Sequence, residues 1–467
     1  MGGILFFVPL LAIAFYTEES VYWIGFIFPA AILIAIGILL WRGLRPRSPF
    51  PLTINEGGII VLISWITLCA LSAIPFLIIQ KLTLTQAMFE SVSGWTTTGL
   101  SVLDLSRTPH LILLWRSTMQ WAGGAGFAII MLSAITGPIG PGLSAAEGRA
   151  EQLAPHVRTS AKIVMILYSS YTLAGFLGYL LGGMNPFDAF NHVLAAVSTG
   201  GFSTHPESIA FWSSTTIEFV SLILMLLGNL NFLIAYLILN RKLKIASRHG
   251  ELRLFAFLIF TCFFILYPMC KSIYPSLGKS VRVAVFETFS ALTTTGFTTT
   301  TYSNWAPLGY FILIILMIVG GGTCSTAGGL KQYRVYILLK SLAWEMKRSF
   351  LPRTAVVENF VWQGERKDYI NDSRVRKVAN LIFIYFLAYA IGTVVLTAHG
   401  YGLKESLFEY ASALSTVGLS VGITSANAPS LVLWIEIMGM FLGRLEFFVI
   451  FISIGKLIRD TTILLKK

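Results

Sequence analysis

The 467-residue chain is 55% hydrophobic and 12% charged, against roughly 25% charged residues in an ordinary soluble domain, so most of it has lipid or other protein as its solvent. A net charge of +12 would suit nucleic acid on a soluble protein, but on a membrane protein the sidedness of Lys and Arg carries the meaning and no nucleic-acid partner is expected. The four cysteines, Cys69, Cys262, Cys270 and Cys324, lie in or beside apolar segments without metal-like spacing, which excludes a disulfide framework and a cysteine metal site.

Runs able to cross a bilayer, roughly 20 apolar residues each, begin with a short one at 4–15 and continue at 21–40, 59–79, 111–135 and onward to the C-terminus. The first lacks the charged n-region and small-residue cleavage site of a secretory signal and reads as a retained span. Four short segments then repeat: FESVSGWTTTGLS from Phe89, FNHVLAAVSTGGFS from Phe190, FETFSALTTTGFT from Phe286 and FEYASALSTVGLS from Phe408. In three, Phe-Glu stands ten residues before a glycine: Gly99, Gly296 and Gly418. The second has Phe-Asn and an apparent extra residue, with Gly201 favoured over Gly200 as the equivalent because an aromatic follows it, as Phe297 follows Gly296. A second marker lies about 25 residues further on, at Gly123-Gly124-Ala125-Gly126-Phe127, Gly228-Asn229-Leu230-Asn231-Phe232, the stretch from Gly320, and Gly443-Arg444-Leu445-Glu446-Phe447.

Each segment is too short to span and is flanked by runs that are long enough. The fold class is therefore an all-α integral membrane protein of four span, pore-helix, filter, span repeats around a central pore, plus two extra N-terminal transmembrane helices. Residues 1–48 hold those two helices, 49–145 the first repeat, 146–250 the second, 251–343 the third, 344–377 a cytoplasmic loop and 378–467 the fourth. With the N-terminus inside, 26 of the 34 Lys and Arg fall on presumed cytoplasmic segments and six opposite, as the positive-inside rule requires.

Irregular backbone at membrane depth is tolerated only in protein or along a wet cavity, so four such breaks should face one pore. Half-helices ending at the glycines aim the negative ends of their dipoles at its axis, which favours a cation. Glycine permits positive φ and close approach, so carbonyls at Thr97, Thr98, Gly99, Gly200, Gly201, Thr295, Gly296, Val417 and Gly418 can replace an ion's water shell. With no Asp or Glu ring at that depth, the cargo reads as a large, weakly hydrated monovalent cation. Glu90, Glu287 and Glu409 read as caps of the half-helix N-termini, Asp104 as a solvated loop charge, and Arg116 as a cation snorkelling to the interface. Arg444 falls mid-span, where a cation must face protein, water or a partner such as Glu446.

These segments, with LLWRSTMQWAGGAG from Leu113, GGGTCSTAGGLKQYR from Gly320 and MFLGRLEFF from Met440, resemble the membrane subunit of Trk-type potassium transporters, in the superfamily that also holds the Ktr and plant HKT transporters. The two leading helices resemble the Trk branch, and sodium-selective plant relatives carry serine where Gly99 stands. The resemblance implies potassium as the transported ligand at the filter carbonyls, and a gate formed by Arg444 and a mobile loop containing Gly320, Gly321, Gly322, Ser325, Gly328 and Gly329. It also implies a homodimer and a cytosolic nucleotide-binding regulatory subunit of the TrkA type. The G-x-x-x-x-G-K-[ST] phosphate loop is absent, so the chain itself should bind no nucleotide cofactor and hydrolyse no ATP. The amides of Asn229 and Asn231 stand where small residues are more usual. The competing reading is a secondary transporter of another small solute at a midplane site of broken helices, but such carriers usually repeat in two halves. A membrane-embedded enzyme would need clustered His, Asp or Glu, and the six histidines are scattered.

Overall fold

The computed structural model describes residues 2–43, 54–125, 157–352, 354–355, 358–363, 366–445 and 447–465. Among these, regular structure is helical apart from one antiparallel hairpin, Phe360–Gln363 with Arg366–Tyr369. Among the described residues five helices are long and apolar enough to cross a membrane unbroken: Thr17–Gly43, Glu56–Ile79, Lys162–Leu181, Gly250–Ile273 and Asp372–Ala398. Two further spans are bent, Thr215–Asn229 with Phe232–Leu239 by 112° and Ser430–Leu445 with Phe447–Thr462 by 100°. Pro307–Val319 stops at Gly320 and helix resumes at Gln332–Ser349, while His110–Ala125 is described only as far as Ala125. With Gly2–Ala14, these occupy the positions expected of ten spans in a multi-pass membrane protein. The first is short and is interrupted ahead of Pro9, where it divides into Gly2–Leu5 and Pro9–Ala14.

The repeat boundaries at 48/49 and 145/146 lie outside the described residues, as do Gly126, Phe127 and Glu446. The boundary at 343/344 falls inside Gln332–Ser349 and that at 377/378 inside Asp372–Ala398. The stretch expected to be a cytoplasmic loop thus takes in the end of one long helix and the start of the next, with the hairpin between them. Its hairpin packs through Val361 and Ile370 onto Tyr333 and Ile337, and Arg374 bonds Asp368 at 2.6 Å and the Tyr333 hydroxyl at 3.0 Å.

Four short helices fill the centre: Leu84–Trp95, Pro186–Val197, Leu277–Leu292 and Leu403–Leu414. Their starts are local in origin. Thr83 and Gln86 form a capping box, and the Asn185 side chain accepts the Asp188 N–H at 2.8 Å. Their C-terminal halves are almost wholly buried, polar residues such as Ser93, Thr288 and Ser412 included. Around the first, Trp95 stands edge-on to both Trp65 and Trp115 with centroids 6.5 Å apart, and its indole N–H donates to Ser72 at 2.9 Å. Such aromatic pairs add about 0.5–1.5 kcal/mol each beyond their burial.

Candidate functional site

Every short helix ends four residues before its glycine, at Trp95, Val197, Leu292 and Leu414, and leaves by the same turn. A threonine takes positive φ in each: Thr97 (56°), Thr199 (51°), Thr294 (53°) and Thr416 (52°). The next amide but none returns to the helix, with Thr98, Gly200, Thr295 and Val417 donating to the carbonyls of Ser93, Ala195, Ser290 and Ser412 at 2.8–3.0 Å, the long bond of a Schellman ending. A β-branched residue at positive φ is a genuine outlier that costs about 1–3 kcal/mol. Its fourfold recurrence marks a conformation imposed by the surroundings. Two residues on, Gly99 (93°), Gly201 (72°), Gly296 (79°) and Gly418 (100°) again take positive φ.

The glycines close on one another in chain order. A Cβ at Gly99 would overlap the carbonyl oxygen of Gly200, at Gly201 that of Thr295, at Gly296 that of Val417, and at Gly418 that of Thr98. Each glycine Cα therefore rests on the carbonyl preceding the next repeat's glycine, and the fourth rests on the first. All four line one cavity of about 680 Å³ on the side of the return loops. The second marker has a related cause: a Cβ at Gly123, Gly228 or Gly443 would meet the last carbonyl of the same repeat's short helix, that of Trp95, Val197 or Leu414.

The common φ pattern aligns the second repeat without an insertion. Counting back nine from each glycine, His192 occupies the place of Glu90, Glu287 and Glu409, and Asn191 that of the buried phenylalanines. Phe190, 39% exposed, is not the equivalent of Phe89. Nor are the glutamates N-terminal caps. Each sits mid-helix, wholly buried, and straps the return loop: Glu90 accepts from Ser101 Oγ at 2.7 Å and Val102 N at 2.6 Å, Glu287 from Thr299 N at 2.9 Å, and Glu409 from Ser420 Oγ at 2.6 Å and Val421 N at 2.8 Å. His192 Nε2 meets Ser203 Oγ at 2.9 Å in the same way.

Arg116 does not snorkel. It is 1% exposed, pairs with Glu90 at 3.1 Å, donates to the Ser203 carbonyl at 3.3 Å and lies 3.8 Å from the centroid of Phe202. It thereby ties the first return loop to the second. Asp104 caps the short turn after the first loop, accepting from the Ser106 hydroxyl and amide, and the hydroxyl bond first among these lowers its pKa.

On the opposite, basic side the segment Gly320–Gly329 interrupts its span as a pinched excursion. Gly320 (67°) and Gly329 (75°) pack backbone to backbone at its neck, and Gly321 N donates to Gly328 O at 3.1 Å. The amides of the second repeat stitch it in place: Gly322 N donates to Asn229 Oδ1 at 3.2 Å, and Asn231 caps the helix beyond the bend through Leu233 N at 2.8 Å. Thr323 donates its N–H to Glu251 at 2.9 Å. The segment also reaches the inner end of the turns, with Gly328 N on Thr294 Oγ1 at 2.6 Å and Thr326 Oγ1 at 3.2 Å from Thr199 Oγ1. Arg444 donates to Thr326 O at 2.8 Å and Gly123 O at 2.6 Å. Gly328, Gly329, Ser325 and Arg444 share a cavity of only about 40 Å³.

Of the residues expected at the site, the four glycines and their preceding residues come together in one ring, and the glycine segment meets Arg444 directly beneath it. The sequence reading missed Gln120, whose side chain bonds the second turn, the role of Arg116, and three of the four positive-φ threonines. The recurrence of threonine two residues before each glycine was a signal for the last of these. Nothing local marked the others.

The family model described as TrkH, cation transport protein, matches residues 26–274 and 272–461. The chain is 31% identical over 438 residues to the Trk system potassium uptake protein TrkH of Escherichia coli, covering 90% of this chain and 89% of that one. It is 30% identical over 471 residues to an uncharacterized cation transporter of Methanocaldococcus jannaschii, covering 100% and 95% respectively. The crystal structure of the potassium transporter TrkH from Vibrio parahaemolyticus superposes with a TM-score of 0.83 at 27% identity, over 96% of this chain and 95% of that one.

Proposed function

This chain belongs to the TrkH family of cation transport proteins, and from that membership we propose that it takes up potassium across the plasma membrane, the inner membrane of a bacterium, through a pore narrowest at Gly99, Gly201, Gly296 and Gly418. The observation that carries this reading is the closed order in which each glycine rests on the carbonyl preceding the next. Such a ring offers backbone oxygens from all four repeats at one level and no charged side chain, which suits a dehydrated monovalent cation. The hydroxyls of Thr97 and Thr416 are buried without a protein partner among the described residues and add oxygen ligands at the inner end.

Gating falls to the glycine segment and Arg444. A guanidinium fixed under the ring repels a cation leaving it, and the excursion is held by hydrogen bonds to Asn229, Glu251 and Thr294 rather than by large apolar side chains. The basic cytoplasmic face is the docking surface for a TrkA-like nucleotide-binding regulatory subunit, and the family resemblance carries the expectation of a homodimer in lipid. The four-unit division of the chain is part of the same proposal. The test is rubidium and sodium flux in vesicles holding the purified chain, with and without ring substitutions: a Gly99→Ser variant of unchanged selectivity removes the ring from the ion path. Flux that a copurified nucleotide-binding subunit does not alter removes that partner.

A further inference from the structure

Three of the four turns are braced by a serine six residues before the ring glycine. Ser93 Oγ accepts Gly99 N–H at 3.2 Å and donates to the Leu100 carbonyl at 2.6 Å. Ser290 Oγ donates to the Phe297 carbonyl at 2.6 Å, and Ser412 Oγ accepts Gly418 N–H at 3.0 Å. In the second repeat that position is Ala195, which has no hydroxyl to offer.

A side chain from another repeat, Gln120, braces this turn instead, through the Gly200 carbonyl and Phe202 N–H rather than the glycine N–H and following carbonyl that a serine bonds. It lies in the His110–Ala125 helix, wholly buried. Its Nε2 donates to the Gly200 carbonyl at 2.5 Å and its Oε1 accepts Phe202 N–H at 3.1 Å. These partners settle which end of the amide is which, since a carbonyl only accepts and an N–H only donates. The amide also explains Gly200, where the other repeats have Thr98, Thr295 and Val417: a Cβ there would fall on the Gln120 side chain. The carbonyl that Gln120 holds is the one on which Gly99 rests.

We infer that Gln120 is a positioning residue for cation selectivity, a brace supplied by the first repeat that fixes the Gly200–Phe202 turn in place of the missing serine. Its N–H occupies one lone pair of the Gly200 oxygen, so this level of the ring has one carbonyl that is both held and weakened as a ligand beside three that no side chain among the described residues holds in this way. The inference rests on the ring being the ion path.

The test measures the rubidium-to-sodium flux ratio in vesicles. Gln120→Met keeps the length of the side chain and loses both bonds; the ratio should fall by about tenfold, as expected for two hydrogen bonds of ordinary strength, while total monovalent flux persists. Adding Ala195→Ser, which by analogy with Ser93 and Ser412 ties the Gly201 N–H or the Phe202 carbonyl, should restore part of the ratio, which a merely space-filling role for Gln120 would not predict. Should Gln120→Met fail to fold, Gln120→Glu keeps the acceptor for Phe202 and loses the donor to Gly200, and a smaller fall of about threefold is expected for the one bond lost. An unchanged ratio in a folded Gln120 variant, or a double variant no better than Gln120→Met, overturns the inference. If Gly201→Ala also leaves the ratio unchanged, the ring itself is not the filter and the inference falls with it.

Discussion

Replacing Arg116 with Met should destabilise the protein more than replacing Arg116 and Glu90 together. The pair is buried on both sides, with side-chain exposures of 2% and 0% at 3.1 Å. Removing one partner of such a pair leaves an uncompensated buried charge and costs about 3–5 kcal/mol. The lost contact with Phe202 adds to this, since a desolvated cation–π contact contributes about 2 kcal/mol. In Arg116→Met the Glu90 carboxylate keeps only the Ser101 and Val102 donors. In the double variant with Glu90→Gln, the amide oxygen still accepts from both and no charge is left over. Taking an unfolding entropy of roughly 2.1 cal/mol/K per residue over 467 residues, a loss of about 4 kcal/mol lowers the melting midpoint by roughly 4 °C. Thermal melts of the purified protein in detergent, read by size-exclusion recovery, should place Arg116→Met lowest, with a coupling energy of at least about 1 kcal/mol between the two sites. A single variant as stable as the double would refute the claim that the charges hold each other across the two return loops.

Gly99→Ser should lower potassium-over-sodium selectivity by about tenfold or more in flux assays, because φ of 93° and the Gly200 carbonyl in the Cβ position both force the turn to move. Gly201→Ala should harm transport more than Gly200→Ala: the first Cβ meets the Thr295 carbonyl, which is backbone of the ring, while the second meets the Gln120 side chain, whose displacement lowers selectivity but leaves the neighbouring ring backbone in place; the reverse order in uptake rates would count against the alignment. Arg444→Gln should raise flux severalfold while sparing selectivity, since it removes the fixed charge under the ring along with the bonds to Thr326 and Gly123. A folded Arg444→Gln protein that conducts no faster than the parent would place the gate elsewhere.

What the chain's sequence determined by itself is what depends on neighbours in sequence. Apolar length marks a span, and a glycine that must take positive φ declares itself, so the spans, the short helices and the four ring glycines were all legible, including Gly201. The break at Gly320–Gly329 was legible for the same reason, since five glycines in ten residues do not sustain a helix. The glutamates were misread because a carboxylate in a short helix looks like a cap until the return loop is folded over it. Phe190-Asn191 suggested an insertion because its letters matched Phe89-Glu90, whereas the turn geometry puts His192 in the glutamate's place. Arg116 resembled a snorkelling cation because its partners, Glu90 and Ser203, lie 26 and 87 residues away. Gln120, 80 residues from Gly200, carried no local mark at all. Ring closure, buried ion pairing and the substitution of one repeat's serine by another repeat's amide are contacts between repeats, and only the tertiary structure, where buried polar groups must find partners wherever the chain supplies them, decides which residues those are.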